Sequence, residues 1–145
     1  AIRAAAENFL PHKNKSIYLI DINRPQEALH HLLIAIKLKK NDHELHNSLG
    51  IALAKLGKDM EAVEEYKTAL RLRPTNARAH NNIGLALMRL GRLDEAEKHF
   101  REAIKLQLEY PNAHFYLAEI LKRKGLHKEA AFHYQEAERI SSEFR

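Results

Sequence analysis

Apolar residues fall three and four apart along most of this chain, with charged and polar residues between them. From His46 to Leu56 they are Leu49, Ala52, Leu53 and Leu56; from Glu61 to Leu72 they are Ala62, Tyr66, Ala69, Leu70 and Leu72. That spacing lays one apolar stripe on each of two successive helices. No alternation of the kind a strand needs competes with it. The two-helix unit then recurs. Leu49-Gly50, Ile83-Gly84 and Leu117-Ala118 are followed in turn by Gly57, Gly91 and Gly125, then by Ala62, Ala96 and Ala130. An aromatic comes next at Tyr66, Phe100 and Tyr134, and a small residue at Ala69, Ala103 and Ala137. The interval is about 34 residues throughout, the period of a helix–turn–helix array whose units bury their apolar faces only by stacking.

Punctuation along the chain agrees with that frame. Gly57, Gly91 and Gly125 suit the left-handed residue that ends a first helix. Gly50 and Gly84 fall on the face turned to the partner helix, where a missing side chain permits close approach. Glu27, Glu61, Glu95 and Glu129 enter the first turn of each second helix, where a carboxylate stabilises the positive end of the dipole by roughly 0.3–1 kcal/mol. Pro11, Pro25, Pro74 and Pro111 are expected at helix edges, where a missing N–H costs least.

A weaker copy runs from Phe9 to Asp42. Ala28, Leu32 and Ala35 keep the second-helix positions, but Lys15-Ser16 replaces Leu-Gly and Asn23 replaces the turn glycine. Asn also adopts the left-handed conformation, so the turn is expected to survive. Carried back once more, the frame sets Ala1-Ile2 within the second helix of a preceding repeat, so the chain is expected to be a piece of a longer protein. The expected organisation is one continuous array: 1–8 as that helix end or an N-terminal remnant, 9–42 as a degenerate repeat, then 43–76, 77–110 and 111–145.

Leu-Gly, Gly, Ala, aromatic and Ala in that order, with Pro74 closing the first clear copy, resembles the tetratricopeptide repeat (TPR) family over nearly the whole chain. The resemblance implies an all-α, right-handed superhelical solenoid of antiparallel helix pairs. It also implies that the first helices of successive repeats present the ligand-facing side chains, at the second, fifth, sixth, ninth, twelfth and thirteenth places. Those places hold Lys13, Asn14, Ile17, Ile20 and Asp21 in the weak copy, and Glu44, Asn47, Ser48, Ile51 and Lys55 in the next. They hold Arg78, Asn81, Asn82, Leu85, Met88 and Arg89 in the third copy, and Asn112, Phe115, Tyr116, Glu119, Lys122 and Arg123 in the last.

Two features of this groove point to a ligand. Asn47, Asn81 and Asn82 are expected on exposed helix faces, where an amide donates to a peptide C=O and accepts from its N–H. Ile17, Ile51 and Leu85, joined by Met88, Phe115 and Tyr116, form an apolar stripe of the kind that marks a contact site. The competing reading is that superhelical twist partly buries the stripe against neighbouring helices. Lys13, Lys55, Arg78, Arg89, Lys122 and Arg123 outnumber Asp21, Glu44 and Glu119 around it. A protein or peptide with apolar anchors and a modest acidic bias fits best.

Two family specialities are not matched. The clamp for the C-terminal carboxylate of heat-shock chaperones is met by Lys13 but not by Ile17, Ser48 or Asn82, and one repeat later only Asn82 fits. The asparagine ladder of O-linked N-acetylglucosamine transferases is kept by Asn14 and Asn82 and broken by Ser48 and Tyr116.

Composition narrows the chemistry further. All five glycines occupy repeat positions, so none is left for a phosphate-cradling loop, and there is no cysteine nucleophile or thiolate metal site. Carboxylate pairs such as Glu64-Glu65 fall on solvent faces, away from acid–base work. No enzyme activity, cofactor or metal is expected. The net charge of +5 is spread among acidic residues along every helix, so nucleic-acid binding rests on net charge alone and is set aside. No run approaches the ~18 apolar residues of a membrane helix, and a soluble chain is expected, with the cytoplasm preferred among compartments.

Histidine is the one anomaly: His12, His46, His80 and His114 share the fourth place of the repeat. A metal ladder fails because equivalent helices lie about 8–10 Å apart while zinc–nitrogen bonds span about 2.0–2.1 Å. Intramolecular packing with a satisfied ring nitrogen is expected, and pH-tuned stability is the lesser reading. His30-His31, which faces two directions, and the His43/His46 pair, at a helix start, could make only a chance surface metal site. The sequence as a whole predicts a non-catalytic interaction module that holds a partner segment in its groove. Self-assembly, or service as the recognition arm of a larger enzyme, is the alternative.

Overall fold

The computed structural model describes residues 2–144, with side chains from Asn8 onward. The expectation for Ala1 and for the side chains of residues 2–7 lies outside the described residues. Among the described residues every regular element is a helix: α1 (Ile2–Asp21), α2 (Pro25–Leu38), α3 (His43–Lys55), α4 (Asp59–Leu72), α5 (Ala77–Arg89), α6 (Leu93–Leu106), α7 (Pro111–Arg123) and α8 (His127–Glu143). The chain divides into two compact units, Ala1–Pro74 and Thr75–Arg145. In the first, α1 pairs with α2 and α3 with α4, and α3 also packs on α2 and α1. In the second, α5 pairs with α6 and α7 with α8, and α7 packs on α6 and α5. Each unit is therefore two helix pairs, as the period predicts.

One turn is used four times. Gly57, Gly91 and Gly125 have φ of +78°, +76° and +80°, and Asn23 takes the same place with φ +58°. Around each, two backbone hydrogen bonds close the first helix: Lys58 N–H donates to Leu53 C=O at 2.9 Å and Gly57 N–H to Ala54 C=O at 3.0 Å. Arg24 to Leu19 and Asn23 to Ile20 repeat the arrangement at 2.7 and 3.0 Å. This is the Schellman closure, which satisfies two of the carbonyls a helix end leaves free. The degenerate first copy keeps the turn with a different residue.

The cores follow the stripes. Ala28, Leu32, Leu45, Leu49, Ala62 and Tyr66 are buried in the first unit, and Ile83, Leu87, Phe100, Leu117, Leu121 and Ile140 in the second. Gly84 lies under the Phe100 ring so closely that a Cβ there would stand 2.7 Å from two ring carbons, and Gly50 meets Tyr66 in the same way. The first copy solves the contact differently. Leu32 stands where the others have an aromatic, and Ser16, fully buried, takes the glycine's place and donates from Oγ to Lys13 C=O at 2.6 Å. A smaller partner leaves room for a side chain.

One expectation is corrected. Pro11 is inside α1 and not at its edge. A proline removes one N–H rung, and the long α1 carries that loss at an exposed residue. Pro25 and Pro111 do open α2 and α7.

Candidate interaction face

In the second unit α5 and α7 lie side by side, so equivalent repeat positions on the two helices share a face. Leu85 and Met88 on α5 and Tyr116 on α7 are half-buried, while Phe115 keeps 43% of its surface exposed. Phe115 is not loose. Its ring meets Tyr116 edge-on at 5.3 Å and Tyr134 of α8 at 5.9 Å, and Tyr116 stacks on the buried Phe100 at 5.8 Å. Aromatic contacts of this kind fix a ring's orientation as well as burying it. Arg78, Arg89 and Arg123 are exposed around the apolar residues. Glu119, the acidic residue of this face, accepts a hydrogen bond from the Tyr134 hydroxyl. That bond, then burial, pushes the Tyr134 phenol up to about 12, so it stays a donor to Glu119 across the physiological range.

The amides do not stand where the sequence reading put them. Asn47 and Asn81 are buried, at 7% and 3% exposure, and only Asn82 is half-buried. The fifth place of the repeat turns inward when its residue is short enough to be covered. The Asn81 Oδ1 has no hydrogen-bond partner among the described residues, an arrangement that costs about 1–3 kcal/mol.

The corresponding face of the first unit, on α1 and α3, is committed to its own structure. Lys13 donates to Asp42 at 3.0 Å and pairs with Glu44 at 2.8 Å, so it is not the groove cation its repeat position suggested. Burial weakens the Lys13 ammonium, but the hydrogen bonds to Glu44 and Asp42 outweigh it and raise the group above its ordinary value. Asp42 also caps α3 by accepting from Leu45 N–H at 3.1 Å. Burial disfavours its carboxylate, yet Lys13 and the Leu45 N–H together hold it below the usual range. Lys55 reaches Asn23 Oδ1 at 3.5 Å. Ile17 is exposed at 37% and Ile51 half-buried.

The histidines of the fourth place find partners that the sequence reading overlooked. His12 Nδ1 lies 2.9 Å from His31 Nδ1, His80 Nδ1 3.1 Å from His99 Nδ1, and His114 Nδ1 2.9 Å from His133 Nδ1. In the remaining repeat, His46 Nδ1 meets Glu65 Oε2 at 2.7 Å. Each contact joins the first helix of a repeat to its second. The signal was present, since His31, Glu65, His99 and His133 recur at the repeat interval. His30-His31 faces two directions, as expected: His31 is half-buried against His12 and His30 is exposed. No group of three or more metal-ligating side chains converges among the described residues, and no described helix is long and apolar enough to cross a membrane.

Comparison with known proteins extends the reading. A family model described as "TPR repeat" matches residues 52–91, and one described as "Tetratricopeptide repeat" matches residues 81–143. No curated protein sequence matches the chain. Among solved structures, a crystal structure of MamA superposes with a TM-score of 0.86 at 21% identity, covering 98% of this chain and 87% of that one. The second TPR domain of human RPAP3, solved with the HSP70 peptide SGPTIEEVD, gives 0.75 at 21% identity, covering 80% and 97%. The first TPR of Spaghetti (RPAP3), bound to the HSP90 peptide SRMEEVD, gives 0.78 at 20% identity, covering 82% and 94%. At these identities the likeness is one of fold.

Proposed function

This chain belongs to the tetratricopeptide repeat family, and from that premise we propose that it is a protein-interaction module whose α5/α7 face holds a segment of a partner protein. The observation that carries the reading is Phe115. A ring held by two tyrosines yet left 43% exposed is a fixed apolar contact point. Leu85 and Met88 extend that apolar surface on α5, and Arg78, Arg89 and Arg123 give it a cationic rim. With Glu119 engaged by Tyr134, the rim favours a segment whose apolar anchor is flanked by carboxylates.

MamA and the peptide-bound RPAP3 domains share the fold, and the two RPAP3 domains hold peptides ending in EEVD. The carboxylate clamp is not carried over to this chain, because Lys13 is spent on Asp42 and Glu44 and the other clamp positions hold the wrong residues. A photo-reactive residue at position 115, in cells making the full-length protein, tests the proposal. Capture of one partner through a short acidic segment with an apolar anchor supports it. Capture of a second copy of the chain, or of a basic segment, overturns it.

A further inference from the structure

The three histidine pairs share one geometry. In His114–His133 the nitrogens are 2.9 Å apart and the ring centroids 5.2 Å apart; in His12–His31 the values are again 2.9 and 5.2 Å, and in His80–His99 3.1 and 5.3 Å. The difference between each pair of values is what two ring radii take up when they lie end to end. The Nδ1 atoms therefore point straight at each other, the arrangement of a linear N–H···N hydrogen bond. A metal ion on that line would need the nitrogens about 4 Å apart, twice a zinc–nitrogen bond. The occupant of the space is a proton.

The hydrogen-bond network assigns the tautomers in the most buried pair. His114 Nε2 lies 3.1 Å from Leu108 C=O and must donate to it, so its Nδ1 is bare and accepts from His133 Nδ1–H. A first added proton goes to His133 Nε2, with Glu129 Oε1 at 4.0 Å. A second has only His114 Nδ1 to occupy, against the His133 N–H already there. The charges facing the pair come from several elements: Arg101 on α6 opposes protonation, and Glu129 and Glu136 on α8 favour it. Burial, then His114 and Arg101, prevail and hold His133 below the ordinary histidine value. His31 is shifted the same way by burial, Lys15, His12 and His30, against Glu27. Around His99, Glu95 and Glu102 stand at the places of Glu129 and Glu136. A site that binds its proton less readily than the unfolded chain loses stability as pH falls from about 7.

We propose that the three head-to-head imidazole pairs are acid-sensitive clasps, each tying the two helices of its repeat through one shared hydrogen bond, keeping that bond after one added proton and parting on a second. The second repeat supplies the internal contrast. There His46 faces Glu65 Oε2 at 2.7 Å and Lys40 C=O at 2.8 Å, so both ring nitrogens meet oxygen acceptors and added charge meets a carboxylate. Acidification then loosens the first, third and fourth repeats and leaves the second closed.

Thermal unfolding of the whole chain at pH 7.5 and pH 5.5 tests the idea, together with a variant carrying His31→Glu, His99→Glu and His133→Glu, which copies the His46–Glu65 pair into the other repeats. The unsubstituted chain is expected to lose about 5 °C or more in Tm on acidification, and the variant at most half as much. An equal loss in both, or none in the unsubstituted chain, overturns the proposal. Where the variant fails to fold, nitrogen NMR of the unsubstituted chain decides. A coupling between the two Nδ1 atoms of a pair, carried across the shared N–H···N bond, is expected at pH 7.5, and its absence at all three pairs would rule the clasp out.

Discussion

At the scale of single residues the fold is set by what fits between paired helices. Gly84 under Phe100 and Ser16 beside Leu32 are two solutions to one contact. Gly84→Ala is therefore expected to cost about 1–3 kcal/mol by overpacking. Combined with Phe100→Leu it should cost less than the two single changes added, because the pair then resembles Ser16 and Leu32. Urea unfolding of the double-mutant cycle checks this, and strict additivity would deny the contact its role. Asn81 offers a second measurement. Replacing it with Leu removes an unpaired buried oxygen, so stability, measured by urea unfolding, should rise by about 1 kcal/mol. The glycine contact was legible in sequence because it repeats with its aromatic partner. The burial of Asn47 and Asn81 was not, since repeat position says which way a Cα–Cβ bond points and not how much neighbouring chain covers it.

At the scale of the helix, ends are fixed by a few side chains. Asp42 caps α3 and anchors Lys13 of α1, so Asp42→Ala should destabilise the first unit by about 1–2 kcal/mol, measured by thermal or urea unfolding. The pH dependence has a definite sign. Asp42 is held below its ordinary value of 3.8 in the fold, so its contribution is present above about pH 4 and disappears as pH falls further. The alanine variant should lose that part of the acid transition. The turn at Asn23 accepts a left-handed backbone that a β-branched residue resists. Asn23→Val should cost about 1–2 kcal/mol, with Asn23→Gly close to neutral. Turn positions were readable from residue type, whereas the Asp42 cap was not, because an Asp at the end of a copy is also compatible with an uncapped loop. The course of α1 through Pro11 was not, because a proline in a long helix removes one rung without deciding whether the helix continues.

At the scale of the whole chain, the repeat interval alone led to an all-α assembly of helix pairs, because every copy had to bury its stripe against a neighbour. The candidate site was legible as a set of repeat positions. Which of them remain open is decided by ion pairs and ring contacts, as when Lys13 turns to Asp42 and Glu44 while Phe115 stays exposed between tyrosines. The histidine pairing left only a faint trace in the sequence, the recurrence of His31, Glu65, His99 and His133 at the repeat interval, because a shared position does not by itself say which side chains meet. The charge of the α5/α7 face decides whether it selects an acidic segment. Its direct readout is the affinity of the partner segment captured at position 115, for the unsubstituted chain and for Arg78→Glu with Arg123→Glu. A loss of about tenfold or more with unchanged helicity and Tm is expected. Equal affinity in the two proteins would mean that the rim does not select the partner.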